Sequence, residues 1–226
     1  MGLLQLMLPK RCYACENLLN YGEIQLCTSC RHSLPILTPV MLQYYIKQFN
    51  FERHNINHFN VLFLFEKHST IQKIIHKLKY KQYRHMGKML AHMQLKVIES
   101  IHRKAPIDYL IPIPIHKKRH RERGYNQLEK YAEVFSKVLQ IPIRNDVLIK
   151  KKHHQRLATL NYTFRAQQIR HSFQIQNASH LKDKHVLILD DIITTGATIN
   201  EVIDKLTSTS NCKISVACMA FTKPED

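Results

Sequence analysis

Residues 186–198 read VLILDDIITTGAT, and this stretch decides the fold. Its first four residues are apolar, and a short apolar run predicts a strand buried on both faces, as in the middle of a parallel sheet. Asp190 and Asp191 follow directly. Beyond residue 198, apolar residues spaced by three and four predict a helix. The stretch is therefore expected to form a strand, a polar turn and the start of a helix.

The polar turn holds the residue types that bind a phosphorylated sugar. Hydroxyl groups, a glycine and the free amides of a helix start form a cradle for a phosphate, which the helix dipole also favours. Two carboxylates accept hydrogen bonds from paired hydroxyls, such as those of a ribose. A strand and a threonine-capped helix also occur without a ligand, but the ordered combination favours a ribose 5-phosphate site. Its candidate residues are Asp190, Asp191, Thr194, Thr195, Gly196, Ala197 and Thr198.

Strand and helix patterns alternate along most of the chain. Short apolar runs predict strands at Val61–Phe65, Tyr109–Ile113, Val186–Leu189 and Ile214–Phe221. Apolar spacings of three and four predict helices over Ile71–Leu78, Met86–Val97, Asn126–Leu139 and Ile199–Leu206, and they place Met86, Met89 and Met93 in the core. The alternation predicts an α/β fold, with a parallel sheet flanked by helices and ligands bound at the carboxyl ends of the strands.

Four of the six cysteines form two Cys-x-x-Cys pairs, Cys12 with Cys15 and Cys27 with Cys30. Two such pairs supply the four soft ligands of a tetrahedral Zn²⁺ site, and four protein ligands make the metal structural. Two disulfides or four buried thiols are the alternatives, and a cytoplasmic location disfavours disulfides. Cys212 and Cys218, which lie in or beside an apolar run, are expected to be core thiols.

The N-terminal part of the chain is expected to be separate from the α/β domain. Pro35 and Pro39 predict that no helix continues through this segment, and residues 40–57 have mixed polarity. We place the boundary near residue 55, with a zinc-binding ribbon and linker at 1–55 and the α/β domain at 56–226. The apolar run at residues 2–9 is too short to span a membrane. We therefore expect a cytoplasmic protein, with attachment to the inner membrane through partners left open.

The chain is strongly basic. Its formal net charge is +17, which predicts polyanionic partners such as nucleic acid or phosphorylated substrates. One cluster of basic residues follows the second predicted strand and contains Lys117, Lys118, Arg119, Arg121 and Arg123. Another begins at Lys150, and its candidate binding residues are Lys151 and Lys152. A solvated basic face is the alternative. Tyr125 and Tyr162 lie near these clusters and are candidates for stacking on bases or for the core.

Residues 186–198 resemble the phosphoribosyl pyrophosphate loop of type I phosphoribosyltransferases. The resemblance implies phosphoribosyl pyrophosphate as ligand, with Mg²⁺ bridging its pyrophosphate and ribose oxygens. It also implies that Asp190 and Asp191 contact the ribose hydroxyls and that Thr194–Thr198 hold the 5′-phosphate. In that family the turn after the second predicted strand holds the pyrophosphate, and residues 150–173 occupy the place of a mobile catalytic loop.

A narrower resemblance covers nearly the whole chain. It rests on the four-cysteine ribbon, Lys79-Tyr80, Pro112-Ile-Pro114 followed by Arg123–Gln127, the Arg165…Phe173 segment and the Asp-Asp/Thr-Thr-Gly loop. Together these resemble the ComF family, ComFC type, of late-competence proteins. The family implies DNA uptake, with single-stranded DNA handled at the inner face of the membrane beside a helicase-like ATPase, ComFA. Gln168 departs from the family pattern, which has Asn there, and this weakens a catalytic role for the mobile loop.

Two classes of function follow from these residues. In the first, a competence protein handles incoming single-stranded DNA and uses a phosphoribosyltransferase-like domain to bind phosphoribosyl pyrophosphate with Mg²⁺. In the second, an active phosphoribosyltransferase, similar to amidophosphoribosyltransferases, transfers phosphoribose to a nucleophile in nucleotide metabolism. The first is favoured, and the fold alone does not choose between them.

Overall fold

The computed structural model describes residues 9–80, 83–151 and 172–223. Its helices are α1 (Thr28–His32), α2 (Pro39–Gln48), α3 (Thr70–Tyr80), α4 (His85–Lys104), α5 (Lys117–Arg123), α6 (Glu129–Leu139) and α7 (Ala197–Thr209). Its strands are β1 (Ile56–Phe65), β2 (Tyr109–Pro112), β3 (Leu148–Lys150), β4 (Phe173–Ile175), β5 (His185–Ile193) and β6 (Lys213–Thr222).

The main sheet contains four parallel strands in the order β1-β6-β5-β2. β3 and β4 form a separate antiparallel pair. The apolar run at the start of β5, from Val186 to Leu189, is completely buried, because strands lie on both sides of it and helices cover the sheet. The predicted α/β fold with a parallel sheet is confirmed.

The predicted helices over Ile71–Leu78 and Met86–Val97 are confirmed as α3 and α4, but the buried face of α4 is only partly the predicted one. Met86 and Met89 are buried, whereas Met93 is 39% exposed and Val97 is 42% exposed. Gln94, a polar residue that the apolar pattern did not identify, lies in the core instead. Gln94 is fully buried, donates to the side chain of Asn60 and accepts from the hydroxyl of Tyr131.

The segment between the cysteines and β1 packs on the α/β core. Pro39 does not prevent a helix here, because it occupies the first turn of α2, where no amide donor is needed. The ring of Phe49 lies 5.1 Å from that of Phe221 in β6, and the ring of Phe51 lies 4.9 Å from that of Phe59 in β1. Residues 45–51 thus cover one edge of the sheet. Within the described part of the chain, no helix has the length and apolar character needed to cross a membrane.

Candidate functional site

Asp190 and Asp191 lie in the C-terminal half of β5 and are each only 7% exposed. Each carboxylate accepts a hydrogen bond from the amide of the next residue: the Asp191 amide donates to Asp190 Oδ1 at 2.8 Å, and the Ile192 amide to Asp191 Oδ1 at 2.7 Å. These local bonds fix the orientation of both side chains. The predicted pair of buried carboxylates is therefore present, but β5 continues past it to Ile193, so the pair lies inside the strand and not in the turn that follows it.

Two residues that the sequence did not assign to the site contact Asp191. The Lys79 Nζ atom, at the end of α3, lies 2.6 Å from Asp191 Oδ2. Gln127, in the turn before α6, donates to the same oxygen at 2.9 Å. Both belong to segments that marked the family resemblance, Lys79-Tyr80 and Arg123–Gln127, so a signal was present. Three distant parts of the chain therefore meet at one carboxylate.

The two carboxylates have opposite pKa shifts. Burial, together with the charge of Asp191, raises the pKa of Asp190 to about 7. Burial also acts to raise the pKa of Asp191, but the adjacent Lys79 ammonium outweighs it and lowers that pKa. Such a separation of the pKa values of two neighbouring carboxyl groups occurs in binding and catalytic sites.

Lys150 brings a third charge to this site. It ends β3, and its Nζ atom lies 4.8 Å from the ring centroid of Phe173. Burial lowers its pKa, while the charge of Asp190 acts in the opposite direction. Lys150 therefore lies within electrostatic range of the carboxylate pair.

The polar turn after β5 joins this strand to α7 through Gly196. Gly196 has a φ of +71°, and a Cβ atom there would lie 3.0 Å from Phe51 Cζ and 3.1 Å from Phe49 Cβ. Glycine satisfies both the backbone conformation and the close approach. Thr195 is buried, and its hydroxyl accepts from the Ala197 amide at 3.4 Å, whereas Thr194 is exposed. α7 begins at Ala197, and the amides of a first helical turn have no acceptor within the helix.

The basic cluster of residues 117–123 forms α5, which starts directly after the turn that follows β2. The His116 side chain caps this helix by accepting from the Lys118 amide at 3.2 Å. The cluster divides into two groups. Lys117, Lys118 and Arg121 are exposed, whereas Arg119 and Arg123 are half-buried.

Arg123 connects α5 to the carboxylates. Its Nη1 donates to Gln127 Oε1 at 2.9 Å, and Gln127 contacts Asp191. Its guanidinium lies 4.9 Å from the ring centroid of Tyr80. Tyr125 is only 3% exposed and its hydroxyl donates to the Leu78 carbonyl, so of its two interpretations the structure supports the core and not a stacking platform.

The second basic cluster is described only in part. Lys151 is exposed. Lys152, Tyr162 and Arg165, with the rest of the segment compared to a mobile loop, lie outside the described residues. Their predicted roles remain predictions.

The four cysteines of the N-terminal pairs come together. The Sγ atoms of Cys12, Cys15, Cys27 and Cys30 all lie within 4.8 Å of one another, and those of Cys15 and Cys27 are 3.7 Å apart. Tetrahedral zinc with bonds of about 2.3 Å to sulfur requires sulfur atoms about 3.8 Å apart, so the cluster fits one such ion. All six cysteines are free thiols, and Cys218 is fully buried, as expected of a core thiol.

Amide groups already surround one of these sulfurs. The Cys27 amide donates to Cys12 Sγ at 3.4 Å. Burial acts to raise the pKa of the Cys12 thiol, but the amides of Cys15, Cys27 and Ala14 outweigh it and lower that pKa to about 6. A low pKa favours the thiolate, which is the form that binds a metal.

The part of the chain that holds these cysteines, residues 9–34, is called the ribbon below, and it docks on α3 and α4. Glu16 Oε1 lies 2.6 Å from Lys77 Nζ in α3. The ring of Tyr13 lies 4.7 Å from that of His85 in α4. The hydroxyls of Ser33 and Thr70 are 2.6 Å apart. The ribbon therefore contacts the helix that ends at Tyr80, one residue beyond Lys79.

Comparison with known proteins finds similarity to competence proteins and to DNA utilization proteins. Residues 128–226 match the family described as Phosphoribosyl transferase domain. Competence protein F of Haemophilus influenzae is 24% identical over 203 residues, which are 85% of this chain and 88% of that protein. DNA utilization protein YhgH of Escherichia coli (strain K12) is 22% identical over 157 residues, 67% of each chain. Competence protein ComFC of Bacillus subtilis (strain 168) is 32% identical over 94 residues, 40% of this chain and 35% of that protein.

Among solved structures, a purine phosphoribosyltransferase from Pyrococcus horikoshii is similar over 59% of this chain and 74% of its own, with 19% identity and a TM-score of 0.39. The family match covers α6, β5, α7 and β6, which include the carboxylate pair and the polar turn. The chain is therefore a homologue of Competence protein F and ComFC, and it has the type I phosphoribosyltransferase fold with an N-terminal cluster of four cysteines.

Proposed function

We propose that this protein handles incoming single-stranded DNA in natural transformation and binds phosphoribosyl pyrophosphate in the pocket around Asp190 and Asp191. One observation carries the ligand assignment: two buried carboxylates lie in the C-terminal half of β5, and the same stretch continues through Thr194 and Thr195 to Gly196 and the first turn of α7. This order presents acceptors for a ribose diol a few atoms from donors for a phosphate. A 5-phosphorylated ribose has the same two groups at that spacing.

Each part of the ligand has residues that suit it. Asp190 and Asp191 accept hydrogen bonds from the ribose hydroxyls, and Thr194–Thr198 with the amides of α7 hold the 5′-phosphate. Arg119, Arg123 and Lys150 supply positive charge for the pyrophosphate beside the turn after β2. If Mg²⁺ bound together with the ligand, it would neutralise part of the pyrophosphate charge.

The same proposal gives the ribbon a structural zinc ion held by Cys12, Cys15, Cys27 and Cys30. The cluster geometry supports this assignment. Because all four ligands come from the protein, the ion contributes folding energy and leaves no open position for a substrate.

The DNA-handling part rests on charge and on the names of the homologues. The net charge is +17, and Lys117, Lys118, Arg121 and Lys151 are exposed. Such cations bind phosphates without reading the sequence. Homologues are named competence proteins and DNA utilization proteins. We therefore propose single-stranded DNA as a partner at the cytoplasmic face of the membrane, beside a ComFA-type ATPase.

The second candidate function is phosphoribosyl transfer. Lys150 favours it, because a half-buried cation near the carboxylate pair would stabilise departing pyrophosphate. The two candidates differ in what happens to the bound ligand. A ligand sensor binds phosphoribosyl pyrophosphate and releases it intact, whereas a transferase releases pyrophosphate.

Parallel measurements of DNA binding and pyrophosphate release test the proposal. Fluorescence anisotropy of a labelled oligonucleotide reports the first, and a coupled phosphate assay reports the second, with and without DNA. We expect DNA binding by the wild type and no pyrophosphate release in the absence of DNA. The double variant Asp190→Ala, Asp191→Ala should still bind DNA. Fast release to a small nucleophile, with no DNA binding, would make the protein a metabolic transferase and contradict the proposal.

A further inference from the structure

The end of α3 is held from two directions by two lysines. Lys77 Nζ lies 2.6 Å from Glu16 Oε1 in the ribbon. Lys79 Nζ lies 2.6 Å from Asp191 Oδ2 in the pocket. Residues two positions apart on an α-helix point about 200° apart, so the two side chains leave opposite sides of the helix. One turn of α3 therefore joins the ribbon to the carboxylate pair.

The Glu16–Lys77 pair is not an ordinary surface ion pair. The Lys77 side chain is only 8% exposed, although that of Glu16 is 57% exposed. A pair between two exposed side chains contributes little, but removing one partner of a buried ion leaves a charge without compensation. Loss of Glu16 therefore favours movement of Lys77 toward water, and the last turn of α3 moves with it.

The position of Glu16 depends on the cysteine cluster. Glu16 directly follows Cys15, its amide donates to the Cys12 carbonyl at 3.0 Å, and its φ is +66°. The Arg11 guanidinium donates to the Glu16 carbonyl at 3.0 Å. The turn that directs the Cys12 and Cys15 thiols toward the metal position therefore also directs the Glu16 side chain toward α3.

At the other end, Lys79 controls one of the two pocket carboxylates. Its ammonium shares Asp191 Oδ2 with Gln127, while Oδ1 is taken by the Ile192 amide. Lys79 thus keeps Asp191 charged and fixes the direction of its free lone pairs. The charged or titratable groups that face Asp191 include Lys79 of α3, Arg123 of α5, Lys150 of β3, Asp190 of β5 and Cys218 of β6.

We propose that Lys79 is a positioning residue for the carboxylate of Asp191, and that the metal-bearing ribbon holds Lys79 in place through the Glu16–Lys77 ion pair. This deepens the proposed function, since it rests on Asp191 as an acceptor for the ribose diol. The ribbon is then a supporting part of the pocket, and loosening it weakens a site on the other side of α3.

Hydrogen exchange of the ligand-free protein tests the link without any substrate. In Glu16→Gln, peptides covering Lys77–Tyr80 and Asp191–Ile193 should exchange at least about threefold faster, because sub-global opening becomes easier. The matched control is Glu133→Gln, which removes the Lys130–Glu133 pair on α6 and should leave these peptides unchanged. The swap Glu16→Lys with Lys77→Glu should restore protection. Unchanged exchange in Glu16→Gln would overturn the proposal.

The second test separates positioning from a merely structural role. In Lys79→Met, the pH at which Mg²⁺-phosphoribosyl pyrophosphate binding is half-maximal should rise by about one unit or more, because Asp191 loses the cation that keeps it ionised. Lys73→Met, which changes an exposed lysine of the same helix, should retain the wild-type profile. A wild-type profile in Lys79→Met would overturn the role of Lys79.

The two proposals fail in different ways. Wild-type protein that binds no phosphoribosyl pyrophosphate at any pH contradicts the proposed ligand. In that case, hydrogen exchange of the Asp191–Ile193 peptide in Lys79→Met and Glu16→Gln still tests whether the ribbon and Lys79 are coupled to Asp191. Faster exchange in both variants supports it, and wild-type exchange in either one overturns it.

Discussion

At the scale of single residues, neighbouring Asp190 and Asp191 are made different by their surroundings. Both are buried, and only Asp191 has an ion pair with Lys79. The sequence predicted that the two carboxylates would share a site, since they follow one another in a buried strand. It did not predict Lys79 or Gln127 as their partners, because contacts between segments far apart in the chain depend on the packing of whole helices. Gln127 lies 64 residues from Asp191.

The raised pKa of Asp190 predicts a pH-dependent cost to stability. In the unfolded chain this carboxyl ionises near pH 4, whereas in the folded protein burial and Asp191 hold its proton up to about pH 7. The unfolded state therefore binds fewer protons between these values, and the free energy of unfolding falls as the pH rises from about 4 to 7. Asp190→Asn removes this cost and should be at least about 1 kcal/mol more stable than wild type at pH 8.

Urea unfolding at pH 8 and pH 4 measures this effect. At pH 4 the gain should be small, since Asp190 is then protonated in the folded protein and about half protonated in the unfolded one. The carboxamide introduced by Asp190→Asn retains an acceptor for the Asp191 amide, so the local turn is preserved. An equal gain at both pH values would show that ionisation of Asp190 is not its source.

At the scale of secondary-structure elements, the spacing of apolar residues predicted the strands and helices whose formation depends on residues close together in the chain. The buried strands and the apolar face of α3 were predicted correctly. Each shows a single local pattern, which is a short apolar run for a strand and apolar residues three and four positions apart for a helix. Met93 and Val97 were misplaced because a buried polar network around Gln94 replaced an apolar contact. No helix crosses Pro35 or Pro39, as predicted. The next helix, α2, begins at Pro39, because proline stops a helix in its interior but is well suited to its first turn.

The prediction at the scale of secondary-structure elements concerns the metal content of the ribbon. Purified protein should carry about one zinc ion per chain, and Cys27→Ser should lower metal content and loosen residues 9–34, because structural zinc supplies local folding energy. The four-stranded sheet should remain folded. Inductively coupled plasma mass spectrometry and hydrogen exchange measure the two effects. Cys212→Ser, outside the cluster, is the control and should keep its metal. Metal-free protein with a fully protected ribbon would refute the assignment.

At the scale of the whole molecule, the structure divides the cations of α5, which the sequence presented as one cluster, into two groups. Arg123 is linked through Gln127 to Asp191, whereas Lys117, Lys118 and Arg121 are exposed on the same helix. Charge runs in a sequence do not reveal which cations face a pocket, because that depends on how the helix docks. We therefore assign the exposed cations to DNA and the half-buried ones to the pyrophosphate.

This division predicts that the two binding activities separate. Changing Lys117, Lys118 and Arg121 together to Ala should weaken single-stranded DNA binding and reduce its log-log salt slope by up to about 2, since each neutralised phosphate contributes about 0.7. Affinity for phosphoribosyl pyrophosphate should stay within about twofold of wild type. Anisotropy titrations across a salt series provide the measurement. An unchanged affinity and slope would remove α5 from the DNA-binding surface.

The central claim is that the carboxylate pair and the polar turn bind phosphoribosyl pyrophosphate. Isothermal titration calorimetry with this ligand tests it most directly, with Mg²⁺ present and with the metal removed by chelator. We expect one ligand per chain with Mg²⁺, much weaker binding without it, and loss of binding in Asp190→Ala, Asp191→Ala while the fold is retained. Binding by that folded double variant with wild-type affinity, or no binding by the wild type with Mg²⁺, would contradict it.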